Sequence, residues 1–218
     1  MKRCSRKAGR PGRRSGSWLI GAGVLLIGAA VLLSGYNLWD GYRAQRAADA
    51  LAGELAAGVG MNLQEVSQLQ PGEGEAVIPD YVLNPNMEMP VQNLDGRDFI
   101  GMLEIPALNL ELPIVSQWSY DALRQAPCRY TGSAYQDNLV IAAHNYQSHF
   151  GSLQKLAEGE LVRFTDVDGN VFEYEVAVRE TLPPTAIEEM TSGEWDLTLF
   201  TCTYGGQYRV TVRCEKIL

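Results

Sequence analysis

The stretch Leu197-Thr198-Leu199-Phe200-Thr201-Cys202 is a run of apolar and β-branched residues that ends on a thiol. It reads as a buried strand delivering Cys202 to its tip. Gly205-Gly206 follow as a turn, and Tyr208-Arg209-Val210-Thr211-Val212-Arg213 reads as the next strand of a hairpin. A second apolar run, Leu139-Val140-Ile141-Ala142-Ala143, ends on His144, which stands 58 residues before Cys202. Thiol, imidazole and guanidinium together supply what thiol-mediated acyl transfer needs: a nucleophile, a proton carrier and a fixed cation for the oxyanion. A free thiol is mostly protonated near neutral pH, so a neighbouring base or cation is required. His149, five residues after His144, is the competing imidazole. Arg213 shares a strand face with Arg209 but lies about 13 Å further along it. It reads as a solvated or salt-bridged surface residue.

Three motifs resemble those of the sortase family of cysteine transpeptidases. Thr198-Leu199-Phe200-Thr201-Cys202 fits the family's Thr-Leu-x-Thr-Cys signature, and Asn138 through Asn145 is similar to its strand ending in the catalytic histidine. Arg209 through Arg213 resembles its arginine-bearing last strand. The similarity runs from about Asp98 to Leu218. It departs at Ala143 and Cys214, where Gly is common in relatives. The resemblance implies a closed eight-stranded β-barrel with His144, Cys202 and Arg209 as catalytic residues. It further implies cleavage of a Leu-Pro-x-Thr-Gly-like sorting signal at the Thr carbonyl, through a thioacyl enzyme. An amine of a peptidoglycan precursor or a pilin lysine would then resolve that enzyme. Thr201, Ile187, Met190 and Ala143 are the expected substrate-binding residues, with the segment 179–196 forming the selecting surface.

The residues after Asp98 support a mostly β architecture independently. Apolar runs at 99–105, 110–115, 139–143, 161–165, 171–178, 197–201 and 209–214 are short and separated by turns such as Asp168-Gly169-Asn170. Segments 119–125 and 150–156 read as short helices. Many short strands within about 120 residues point to a closed or nearly closed barrel. Upstream, residues 40–57 are alanine-rich and helical by propensity, and their small side chains suit a stalk outside any core. Pro71-Gly72-Glu73-Gly74 and scattered Pro and Gly from 58 to 95 read as a tether. The domain reading is a basic tail over 1–17, a membrane helix over 18–38, a stalk and linker over 39–96, and a catalytic domain over 97–218.

The membrane helix rests on the 21 residues from Trp18 to Leu38, which carry no charge. That length spans a hydrocarbon core of roughly 30 Å. Trp18, Tyr36 and Trp39 mark its ends, as amphipathic rings do at interfaces. Seven Lys and Arg precede it with no acid, leaving 11 of the 18 cations against all 26 Asp and Glu beyond it. This asymmetry puts the N-terminus in the cytoplasm and the remainder outside the cell membrane. It also explains the basic tail without nucleic acid as a partner.

Cys128, Cys202 and Cys214 then lie outside, an odd number that leaves at least one thiol free. Cys128 and Cys214 read as small buried hydrophobes, with a bridge between them the alternative. No Cys-x-x-Cys pair occurs, and two histidines without such company do not make a zinc site, so neither metal nor cofactor is expected. A papain-like peptidase places Cys before His, the reverse of this order. An L,D-transpeptidase sets its cysteine in a Ser-x-Gly-Cys-like context. A tethered β-domain that only binds peptides is the non-catalytic alternative.

Overall fold

The computed structural model describes residues 15–68 and 78–217. The basic tail and the Pro71-Gly72-Glu73-Gly74 tether fall outside the described residues. The chain forms two compact units, Met1–Asp40 and Gly41–Leu218. In the first lies the start of helix α1 (Ser15–Gln68), and Trp18–Gly58 contains a window of mean hydropathy 2.1 with no buried residue, apolar enough to cross a membrane.

In the second unit the strands are β1 (Gln92–Leu94), β2 (Arg97–Ile105), β3 (Leu110–Val115), β4 (Cys128–Thr131), β5 (Leu139–Ala143), β6 (Leu161–Asp166), β7 (Val171–Leu182), β8 (Leu197–Cys202) and β9 (Arg209–Lys216). Short helices are α2 (Asp80–Leu83), α3 (Tyr120–Leu123) and α4 (Ile187–Thr191). The sheet order is β2-β3-β4-β5-β8-β9-β7-β6, and β6 pairs back onto β2, which closes an eight-stranded barrel. Strand β1 adds a short hairpin arm on β2. Pairing is antiparallel except for β3–β4 and β5–β8.

Alternation builds the core, since inward residues repeat every second position along each strand. Leu139 and Ile141, Leu197 and Leu199, and Val212 and Cys214 meet inside the barrel with Phe164, Phe172 and Tyr174. Gly101 permits the tightest strand crossing. It has φ +154°, and a Cβ there would lie 2.1 Å from the Thr165 carbonyl oxygen. A Cβ would collide with backbone, so only glycine lets β2 lie this close to β6.

Residues 40–57 do not form the free stalk expected. Ala48 belongs to the main core and Leu55 packs with Phe99, Val115 and Cys128. The small alanines that argued against core membership allow the helix to approach closely. Residues 78–95 likewise depart from the tether reading. Met89 is buried, and Tyr81 stacks on Tyr135 with ring centroids 4.6 Å apart. Strand β7 also runs four residues beyond its expected end, so the selecting segment shrinks to the turn between Leu182 and Leu197.

Candidate active site

Strands β5 and β8 run parallel with Leu139 opposite Leu197 and Ala143 opposite Thr201. That constant offset of 58 positions makes His144 and Cys202 the next pair, at the same end of neighbouring strands. Across the hairpin Cys202 pairs with Arg209, and Arg209 in turn with Leu182 of β7. Continued one residue past Ala143, this register sets the backbones of His144, Cys202 and Arg209 in one row across adjacent strands spaced about 4.8 Å apart. Because Leu197, Leu199 and Val212 face the core, Thr198, Phe200, Cys202, Arg209 and Arg213 share the outer face.

Beside this row lies an apolar patch on the outer surface. Val140, Ala142, Phe200 and Met190 form it, with Tyr130 and Leu182 at its margin. The Tyr130 ring meets Phe200 edge-on at 5.3 Å. Towards the barrel end a cleft of about 220 Å³ opens between Cys202 and Thr203 on one side and Asn145, Gly151 and Gln154 on the other.

Local hydrogen bonds fix each member. The His144 carbonyl accepts from the Phe150 N–H at 3.2 Å, and the Tyr146 carbonyl accepts from His149 at 3.0 Å and Gly151 at 2.8 Å. The Tyr146 ring lies 5.0 Å from the His144 ring and 5.4 Å from that of His149. A Cβ on Gly151 would approach the Asn145 carbonyl oxygen to 2.6 Å, so this tight turn requires glycine there. After Cys202, the Thr203 N–H donates to the Tyr208 carbonyl at 3.0 Å, while its hydroxyl oxygen accepts from the Tyr208 N–H at 3.1 Å. Arg209 Nη1 donates to the Gly206 and Tyr208 carbonyls at 3.0 and 3.1 Å, so the guanidinium is held at the mouth of its own turn.

The two imidazoles differ sharply. His144 is half-buried in the row. His149 is fully buried, and burial, aided by the charge of His144 and opposed by the Gln125 backbone, pulls it down to about 4. It is neutral at physiological pH. The thiols divide likewise. Burial pushes Cys128 and Cys214 up to about 12, whereas Cys202 is partly exposed. All three are free, with no bridge between Cys128 and Cys214.

The expected substrate residues are placed unevenly. Ile187 is 51% exposed at the start of α4, three positions before Met190. Met190 is buried within the apolar patch, packed with Val140, Ala142 and Phe200. Thr201 and Ala143 make structural contacts: the Thr201 hydroxyl donates to the Ala143 carbonyl at 2.8 Å, tying β8 to β5, and the Ala143 side chain belongs to the inner core, while Thr201 also lines the cleft beside Cys202. Both fall on the opposite strand face from Cys202. Arg213 is salt-bridged, one of the two expected alternatives, but it does not lie at the surface. It is 3% exposed and not solvated, and Glu180 accepts from its Nε at 2.8 Å. Its burial comes from α4, whose Glu189 and Met190 carbonyls accept from the guanidinium. Among the described residues no three His, Cys, Asp or Glu side chains converge as a metal site.

Comparison with known proteins bears on the family and the fold. A sortase-domain family model matches residues 103–217, just over half of the chain. Sortase A of Bacillus anthracis is 26% identical over 185 residues, which cover 77% of this chain and 79% of that protein. A sortase D5 transpeptidase from Clostridium perfringens superposes with a TM-score of 0.52 at 20% identity, covering 64% of this chain and 94% of that one. Sortase C1 from Streptococcus agalactiae gives 0.50 at 24% identity, covering 62% and 75%. At these identities the two structures speak for the fold.

Proposed function

The chain belongs to the sortase family of cysteine transpeptidases, and from that premise we propose that Cys202, His144 and Arg209 carry out its reaction on proteins bearing a Leu-Pro-x-Thr-Gly-like sorting signal. The observation that supports this reading is the register, which pairs Cys202 with Arg209 and ends β5 at Ala143 opposite Thr201, one residue before His144 and Cys202. The Cys202 thiolate attacks the threonine carbonyl carbon, and Arg209 stabilises the oxyanion. As the tetrahedral centre collapses, the C–N bond breaks and the leaving amine takes a proton from the His144 imidazolium. A thioester remains on Cys202. An incoming amine, from a peptidoglycan precursor or a pilin lysine, attacks it, gives a proton to His144 and releases the thiolate. The apolar patch around Met190 would receive the signal's leucine and proline.

The positive-inside asymmetry of the sequence supports a cytoplasmic N-terminus, with the helix from Trp18 as a single-pass anchor and the catalytic unit outside the cell membrane. Protease added to wall-stripped cells should then digest the domain beyond Asp40 and spare the tail.

The decisive experiment incubates the full chain, in detergent micelles, with a sorting-signal peptide and no amine. A hydroxylamine-sensitive mass increase should appear on Cys202 and vanish in Cys202→Ala. His144→Ala should suppress it and His149→Gln should not, while Arg209→Ala should lower turnover by roughly 10²–10³, the cost of losing one oxyanion donor. If no adduct and no cleavage appear with any sorting peptide, the site binds peptides without catalysis.

A further inference from the structure

Arg213 is the most heavily committed side chain on the outer face of the barrel. Its Nη2 donates to the Glu189 carbonyl at 2.7 Å, and its Nη1 to the Met190 carbonyl at 3.4 Å and the Thr198 hydroxyl at 3.1 Å. Its Nε completes an ion pair with Glu180 on β7. Glu189 and Met190 lie near the C-terminal end of α4, a helix of five residues. The last carbonyls of any helix lack partners within it, and a cation there is favoured by the helix dipole. One guanidinium thus caps α4 and fastens it to β7, β8 and β9 together. A planar fork with five donors can do this; a point charge cannot.

What α4 carries makes that attachment consequential. Met190 packs on Val140, Ala142 and Phe200, and Phe200 is two positions before Cys202 on the same face. Ile187, at the start of α4, is an exposed apolar residue three positions before Met190. A five-residue helix has too little of its own cooperativity to hold a position. Its placement comes from what it touches.

We propose that Arg213 is a positioning residue for the sorting-peptide groove: by holding the last carbonyls of α4 it sets Met190 and Ile187 beside Cys202 and so governs peptide affinity, leaving the chemical step to the distant row. This rests on the functional reading above, which makes the patch the peptide's seat. Arg213 pairs with Thr198, four positions along β8 from Cys202, so the guanidinium is too far away to touch the reacting carbonyl.

The test uses the full chain in detergent micelles and a fluorogenic Leu-Pro-x-Thr-Gly peptide, with wild type, Arg213→Met, Arg213→Lys and Glu180→Gln. Kinetics, iodoacetamide alkylation of Cys202 and hydrogen exchange of the amides at 188–191 are read in parallel. Arg213→Met should raise KM about tenfold or more with kcat held within about threefold, the signature of lost uniform binding. The alkylation rate should stay at the wild-type value and exchange in α4 should quicken. Arg213→Lys should give an intermediate KM, and Glu180→Gln, which keeps the carbonyl clamp, a KM within about twofold of wild type. Should the Met variant fail to fold, the Lys variant decides by the same readouts. A folded variant with unchanged KM, or with kcat reduced and KM unmoved, overturns the proposal. So does alkylation slowing in step with turnover. A wild-type chain that cleaves no sorting peptide defeats the functional reading itself; unchanged KM with loosened α4 in an active enzyme defeats this inference alone.

Discussion

Removing the titratable group at His149 should make the domain less sensitive to acid. His149 is fully buried and sits against Tyr146 and near His144. Burial brings it from its ordinary 6.5 down to about 4. Between those values the unfolded chain holds a proton that the native chain does not. Stability contributed by the neutral ring is therefore complete above pH 6.5 and is lost as pH falls towards 4. A difference of that size amounts to about 3 kcal/mol in full, and to about 2–3 kcal/mol between pH 7 and pH 4.5. That is a large share of a typical domain stability of about 5–15 kcal/mol. Asp168 acts in the other direction, since burial and the charges of Asp166 and Asp80 raise it, so a wild-type curve alone mixes opposing groups. Comparison with His149→Gln isolates the ring, because the amide is neutral throughout. Urea unfolding of both chains in nonionic micelles, followed by near-ultraviolet dichroism at pH 7 and pH 4.5, supplies the numbers. Wild type should lose about 2–3 kcal/mol more than the variant over that interval. Equal losses would show that the imidazole is hydrated or charged in the native state, and the reasoning would fail.

Two further outcomes follow from burial and backbone geometry. Iodoacetamide at pH 8 should modify Cys202 while leaving Cys128 and Cys214 intact in the folded chain, because burial pushes both of those thiols up to about 12; peptide mass mapping reads the result, and labelling of either buried thiol before unfolding would contradict it. Gly132→Ala should destabilise by about 2–3 kcal/mol, as a left-handed backbone position made to carry a Cβ. At φ +76° that Cβ would sit 2.0 Å from the Asn138 carbonyl oxygen. A melting temperature unchanged in the variant would refute the crowding.

Much of the barrel was legible because most of its strands carry their own pattern. Leu110–Val115 and Leu139–Ala143 coincide with the expected runs, and five further strands differ only at their ends. The exceptions are β1 and β4, of three and four residues, too short for alternation to register. Cys128-Arg129-Tyr130-Thr131 becomes a strand because Val115 and Ala142 flank it. The site row was legible for Cys202 and Arg209 through the hairpin, and for His144 through the apolar run before it. The inward side of Thr201 and Ala143 was legible as well. A strand alternates its faces, so a residue beside an outward Cys202 must point inward. Nothing local marked the burial of Arg213 or His149, which depends on α4 and on the turn after His144. Alanines at 44 and 48 misled in the opposite direction. Smallness excludes a residue from forming a large core, but it suits a helix that must lie close against one.

The parallel β5–β8 pair explains why the site is both scattered in sequence and rigid in space. Parallel neighbours cannot be joined by a tight hairpin, so a long crossover must intervene. Here that crossover contains β6 and β7, which close the barrel on β2 and extend it to β9. On its way back it lays α4 over the outer face next to Phe200. The same connection thus completes the core, sets the spacing of His144 from Cys202 and delivers the apolar patch beside them. Register is held by Leu139 and Ile141 against Leu197 and Leu199, all fully buried. A slip of one residue in β8 would turn these leucines outward and Cys202 inward, away from Arg209. The packing energy that fixes the core therefore also fixes the order of the three reactive groups along the sheet.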